Sequence, residues 1–349
     1  MTLAGSFRRE SNSLNVLRLV LAGLVVVSHA PLAGHGSPPY RLGGLDIGGW
    51  AVAAFFAISG WLVTESRIRL ALWHYLWRRC IRIFPGFWVA LLVTAFVFAP
   101  VATRVGGSWN IGSAFTYVGS NLGLVIRQPG IANTLHDSPY QTVWNLSLWT
   151  LAWEFACYLG IGFIWCVPVF RQRWWTLAAF AAVTAAQFGI AVGEPGWASH
   201  GMATGLRLVS FFLAGAVLLR FGSDISARGS VAVAAAAALV MLAALGKVAI
   251  FGALPLAYLA IWLACRLPFV NWGRTYDLSF GLYIYAFPIQ QLLSQAGIAR
   301  AGAAAYLGLT AVVVVPIAAG SWILVERPAL RWRTRWDKSS TRYVTAASS

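Results

Sequence analysis

Charge is what this chain has least of. Only 10% of its 349 residues are Asp, Glu, Lys or Arg, where a soluble domain carries about a quarter, and that shortage excludes an ordinary water-soluble globule. Acidic residues are the scarcer kind: ten Asp and Glu stand against 26 Lys and Arg, a formal net charge of +16. Cysteine is down to Cys80, Cys157, Cys166 and Cys265. They lie in or beside apolar runs with no paired spacing, so neither a disulfide framework nor a thiolate metal site is expected, and they read as packing residues. The five histidines are scattered and share no ligand spacing, so no metal is expected. Ser59 sits in Phe-Ala-Ile-Ser-Gly within an apolar helix, without the Gly-x-Ser-x-Gly strand-to-helix turn of a nucleophile elbow. No fixed-period repeat is visible, and low complexity is confined to an Ala-rich stretch near residue 235.

What the chain has is hydrophobic length. Apolar residues make up 59% of it and the mean hydropathy is +0.70. Ten spans of about 20 residues can be laid out, each long enough for a hydrocarbon core of about 30 Å: 14–31, 47–65, 84–103, 144–169, 174–192, 204–220, 229–246, 248–265, 278–297 and 303–324. The basic residues fall between these spans rather than on one soluble face, which marks membrane orientation and not a nucleic-acid footprint. With the N-terminus in the cytoplasm, nineteen of the 26 Lys and Arg lie on the inner side, and an even number of spans brings the C-terminus there too. The first span is long, carries Arg18 and His29, and is followed by Pro31 and a Gly-rich turn rather than a cleavage site, so it is no cleavable signal. The expectation is an all-α polytopic bundle of about ten transmembrane helices with both termini cytoplasmic. Residues 1–13 form an inner N-terminal segment, 14–326 the membrane domain and 327–349 a basic inner tail. The 23 residues after Glu326 leave no room for a further soluble domain.

Several places depart from plain hydrophobic helix. Arg18 and His29 share the first span, where ionisable groups are costly and usually face a protein interior on a proton, ion or substrate path. Eleven residues at about 100° each leave the two side chains about 20° apart around the helix and about 16 Å apart along it. Glu154 lies about 15 Å below the outer end of the fourth span, near mid-membrane. Residues 67–84 interleave Arg with Leu, Trp, Tyr and Ile until Pro85 interrupts the run, which suits a helix lying in the inner interface. Residues 104–143 form the longest outer connection, rich in Gly, Asn, Ser and Pro, with His136 and Asp137 near its end; a connection this long usually binds or caps something. The ninth span carries Ser279, Tyr283 and Tyr285 ahead of Pro288, which should bend the helix and free backbone carbonyls.

Read as residues, these places keep two meanings each. His29 is a base whose neutral imidazole titrates near working pH, or a polar residue bonding a carbonyl at the outer interface. Glu154 supports and charge-stabilises an imidazole, or pairs structurally with a buried arginine. Arg79 and Arg82, three apart on one helix face, grip an anion or act with Arg78 as orientation signals. Glu65 and Asp277 read as interfacial salt-bridge partners. His136 with Asp137 meets a ligand in the outer loop, or is simply polar surface.

Taken in order, LNVLRLVLAGLVVVSHA, FFAISGWLVTES, RRCIRIFP, NLSLWTLAWEFACY, SFGLYIYAFP and VERPALRW make the chain resemble the acyltransferase-3 family of integral membrane O-acyltransferases over almost its full length. The resemblance implies a cytoplasmic acyl-CoA donor, with acetyl-CoA the leading case, and an acceptor hydroxyl on the outer side, commonly on a surface sugar. It makes the first-helix Arg and His, matched by Arg18 and His29, functional, and maps the family's Arg-x-x-Arg onto Arg79 and Arg82. On that basis His29 is the expected base with Glu154 behind it. Arg18, Arg79 and Arg82 are the expected donor-binding residues, because guanidinium suits phosphate and the 16 Å from Arg18 to His29 matches an extended pantetheine arm. Tyr283, Tyr285 and Ser279 are substrate-lining candidates, although tyrosine within a membrane span is more often a packing residue. One departure stands out: many relatives have His just before the ninth-helix proline, and here that position is Ala286.

The expected activity is therefore O-acyl transfer, acetyl first, to a hydroxyl of a cell-envelope polysaccharide or its lipid-linked precursor. Because some relatives carry an extra outer catalytic domain and this chain does not, its membrane domain should suffice or pass the group directly to the acceptor. No cofactor is held tightly, since acyl-CoA serves as donor substrate. The partners are that donor, a glycan acceptor and membrane lipid, not nucleic acid, with a homo-oligomer left open. The expected place is the bacterial cytoplasmic (inner) membrane, for which the Ala, Gly and Arg bias is a compositional sign. Two rivals remain: acylation of a lipid or small secondary metabolite by the same donor machinery, and a transporter or flippase whose Arg, His and Glu form a proton relay. For the latter no inverted repeat is visible.

Overall fold

Backbone polar groups have no water to bond in a hydrocarbon layer, so apolar runs of this length close their hydrogen bonds within helices. The computed structural model describes residues 1–193, 199–273 and 275–332, and each of the ten apolar segments holds a helix. In chain order these and one further helix are α1 (Leu14–His35), α2 (Ile47–Arg69), α3 (Leu72–Val93), α4 (Ile111–Asn121), α5 (Trp149–Ile164), α6 (Arg173–Gly193), α7 (His200–Arg220), α8 (Gly229–Ala244), α9 (Ala253–Arg266), α10 (Ser279–Gln295) and α11 (Ala303–Ser321). A π turn at Thr94–Phe98 carries α3 on to Ala102, and another at Trp322–Glu326 extends α11. Among the described residues six helical stretches are long and apolar enough to cross a membrane: Leu14–His35, Ile47–Arg69, Leu72–Ala102, Arg173–Gly193, Gly201–Arg220 and Ala303–Trp332. The helices α5, α8, α9 and α10 are shorter, at 14 to 17 residues.

Three local expectations are corrected. Residues 67–84 are not one interfacial helix: Arg67 and Arg69 form the last turn of α2, extended backbone at Leu70 and Ala71 breaks the chain, and α3 runs straight through Pro85. Residues 104–143 are not a plain loop, because Asn110 caps α4 by accepting from the Ser113 amide at 2.9 Å. The all-α picture gains a two-stranded ribbon pairing Arg41–Leu42 with Leu45–Asp46, turned by Gly43 and Gly44 at positive φ, as a two-residue hairpin requires. Of the basic tail, residues 333–349 lie outside the described residues.

The chain forms two compact units. One comprises Met1–Ser28, Pro39–Leu70 and Ala156–Thr275. Its centre is the contact of α2 with α7, where glycines let the backbones meet: a Cβ on Gly60 would lie 1.8 Å from the Phe212 carbonyl oxygen, and one on Gly215 1.9 Å from that of Ala57. Small residues serve this purpose between membrane helices, where close approach replaces hydrophobic drive. The N-terminal residues fold onto the 222–227 turn through Leu3 N–H to Ile225 O at 2.8 Å and Ala227 N–H to Met1 O at 3.1 Å.

The other unit comprises His29–Pro38, Ala71–Phe155 and Tyr276–Ser349. Helix α10 is its axis, buried from Ser279 to Gln295 along nearly every turn. Gly281 presses on Ala318 of α11 and Gly86 of α3 on the Phe280 ring. Within the 104–143 segment, Asn121 caps a turn by accepting from the Arg127 and Gln128 amides at 2.8 and 3.1 Å.

Candidate functional site

Pro288 cannot donate a hydrogen bond back along α10, so the carbonyl of Ile284 four residues earlier is left open. Asn145 fills it, donating from Nδ2 at 2.7 Å. The freed carbonyl expected from the sequence thus becomes the anchor of the chain that leads from the 104–143 segment into α5. Gln291, fully buried on the next turn, grips the same segment: its Nε2 donates to the carbonyls of Tyr140 and Val143, each at 2.7 Å, while its Oε1 accepts from Ser138 Oγ at 2.5 Å. Gln295 adds a fourth tie, accepting from the Asp137 amide at 3.1 Å.

His29 lies beside this clamped segment. Its ring meets Phe287 of α10 edge to face at 5.2 Å, and Phe287 meets Tyr140 the same way at 6.2 Å. One turn back on α10, Tyr283 shares a 2.5 Å hydrogen bond with Thr150 of α5, and the Glu154 carboxylate lies within electrostatic reach of the Tyr283 hydroxyl. Residues four apart occupy one helix face, so His29 and Glu154 address adjacent turns of the same face of α10. Ala286, where a second histidine was absent from the sequence, is buried.

Tyr285 looks elsewhere, about 200° around the helix from Tyr283. It hydrogen-bonds Ser321, whose Oγ donates to Glu326 Oε1 at 3.1 Å. Glu326, 3% exposed, lies 3.9 Å from Arg82 Nη1, and Arg82 Nη2 bonds Asp277 Oδ2 at 2.7 Å. Asp277 Oδ1 accepts from Ser279 Oγ at 2.6 Å. Arg82 also stacks over Phe280 at 5.6 Å. The structure therefore turns Tyr285 away from Tyr283, ties Ser279 to Asp277, and sets Arg82 between two carboxylates. Arg79, one turn earlier on α3, lies 6.0 Å from the Tyr75 ring. Asp277 makes the salt bridge expected of it, as Glu65 does with Arg69 at 2.7 Å.

Arg18 belongs to the first unit, where it lines a cavity of about 350 Å³ at the start of α1 together with Arg9, Glu10 and Asn15. His136 and Asp137 pair at 2.9 Å on the surface. Among the described residues no three His, Cys, Asp or Glu side chains gather as metal ligands would. Sequence reasoning passed over Gln291, Tyr140 and Glu326. Buried Gln290, Gln291 and Gln295 in one apolar helix were a visible signal, since glutamine is seldom buried without a partner to bond; Tyr140 carried none.

A family model described as "Acyltransferase domain" matches residues 11–326. An "O-acetyl transferase" of Shigella phage Sf6 is 28% identical over 335 residues, covering 91% of this chain and 96% of that protein. "Nodulation protein 10" of Rhizobium leguminosarum bv. viciae is 28% identical over 371 residues, covering 93% and 94%. No solved structure matches the chain.

Proposed function

We propose, because the chain belongs to the acyltransferase-3 family, that it is a membrane O-acyltransferase carrying an acetyl group from acetyl-CoA to a hydroxyl of a cell-envelope polysaccharide or its lipid-linked precursor. The observation that carries the reading is the α10 face addressed by His29 through Phe287 and by Glu154 through Tyr283. The acceptor oxygen attacks the thioester carbonyl while His29 takes its proton. The C–S bond then breaks, an ester forms, and the imidazolium returns the proton to the departing thiolate. Glu154 offsets the charge that His29 gains in between. The similarity to a protein named for O-acetyl transfer supports acetyl as the group moved.

Arg18 binds phosphate of the donor, and Arg79 is a further donor-binding residue. Arg82 orders the turn of α3 beside Arg79 through Asp277 and Glu326. The clamped rim around Tyr140 meets the acceptor. Ten crossings with both termini cytoplasmic, in the bacterial inner membrane, leave the CoA end of the donor at the cytosolic end of α1 while its thioester reaches toward His29 and the outer hydroxyl. The test is acetyl-CoA turnover by the purified protein in lipid, wild type against His29→Ala, with CoA binding followed in parallel. Turnover falling by about 10²–10⁴-fold with binding intact is the expected result. A chain that neither binds nor consumes acyl-CoA overturns the reading.

A further inference from the structure

The cavity beside Arg18 is built, not incidental. Asn12 folds the residues before α1 into a tight turn: its Nδ2 donates to the carbonyls of Arg8 and Arg9 at 2.8 and 2.9 Å, and its Oδ1 accepts from the Leu14 amide at 3.1 Å. That turn presents Arg9 and Glu10 at the rim. Arg18, one turn along the α1 face from Leu14, forms the floor. Asn15 fixes a side wall, donating to the Gly273 carbonyl at 3.0 Å, and Gly273 at φ +70 leaves no room for a Cβ, which would sit 2.7 Å from that of Asn15. Leu62 and Val270 supply an apolar patch. Two guanidinium groups against one carboxylate leave the cavity net positive, at a helix start whose dipole also favours anions. Its volume lies at the lower end of ligand-site sizes, about 300–1,000 Å³.

We propose that this cavity binds the phosphate groups of the donor, with Arg9 as a second binding residue beside Arg18 and Glu10 as an opposing charge that holds the affinity down. The proposal rests on acyl-CoA being the donor and adds residues outside the membrane span to its recognition. Glu10 at the rim is an anion of the chain's own, so that a bound phosphate competes with it and product CoA is released readily.

The test uses the full chain in phosphatidylcholine nanodiscs and follows CoA binding by calorimetry for wild type, Arg9→Ala, Glu10→Gln and, as a control on net charge, Arg8→Ala. Arg9 and Glu10 are exposed, so these changes leave the fold intact. Arg9→Ala should weaken CoA about tenfold, the loss of one charge-assisted hydrogen bond. Glu10→Gln should tighten it about threefold, an effect fading at high salt, and Arg8→Ala should change little. Wild-type affinity in both Arg9→Ala and Glu10→Gln overturns the proposal while leaving the acyltransferase reading standing. No CoA binding by wild type brings down the reading, and the proposal with it. Phosphatidylglycerol retained by wild type but lost from Arg9→Ala, with CoA affinity unchanged, identifies a lipid-headgroup site and also overturns it.

Discussion

Arg82 already has two anions, Asp277 at 2.7 Å and Glu326 at 3.9 Å, before any ligand arrives. Removing the guanidinium leaves two carboxylates facing each other with little water, so Arg82→Met should cost about 3 kcal/mol. Combining it with Asp277→Asn and Glu326→Gln should restore much of that loss; thermal unfolding of the single and triple variants in detergent measures it. If Arg82→Met instead leaves stability unchanged and only weakens CoA, the residue is a ligand clamp and not a tie. Gln291 bears on the rim in the same way. Gln291→Leu strands two carbonyls and the Ser138 hydroxyl, for about 1–3 kcal/mol, and should make residues 136–145 a new site of limited proteolysis. The residues differ in how plainly they could be read. His29 and Glu154 announced themselves as ionisable groups inside apolar runs. The Arg82 network did not, because its partners Asp277 and Arg82 are 195 residues apart and only the packed helices bring them together.

At the scale of elements, the α2–α7 contact is the strictest piece of packing. Even a methyl at Gly60 meets the Phe212 carbonyl, so Gly60→Ala should cost about 1–3 kcal/mol by overpacking and Gly60→Leu should prevent that pair from closing. Resistance to unfolding in mixed micelles checks the order wild type, Ala, Leu. Helix positions were legible because an apolar run of given length has one way to satisfy its backbone. Helix joints were not. Pro85 looked like a break and is an interior turn, while the real break at Leu70 and Ala71 carries no Gly or Pro. The order within 104–143 was hidden for another reason: it depends on individual amides such as Asn121 and Gln128, which have no period to detect.

For the whole molecule, the proposed topology has a direct check. Cys166 is the exposed native thiol, in the turn between α5 and α6. A membrane-impermeant maleimide should label it in inside-out vesicles and not in intact cells, and reporters fused at the two termini should both read cytoplasmic. Labelling from outside, or termini on opposite faces, breaks the ten-span arrangement. The proteins this chain resembles share its length while differing at most positions, and the grip of Gln291 bears on how such divergence proceeds. It holds the main-chain carbonyls of Tyr140 and Val143, atoms every amino acid possesses. Substitutions at Tyr140 or Val143 therefore leave that grip in place, so on the proposed function the side chains offered to an acceptor there can change while the main-chain frame stays.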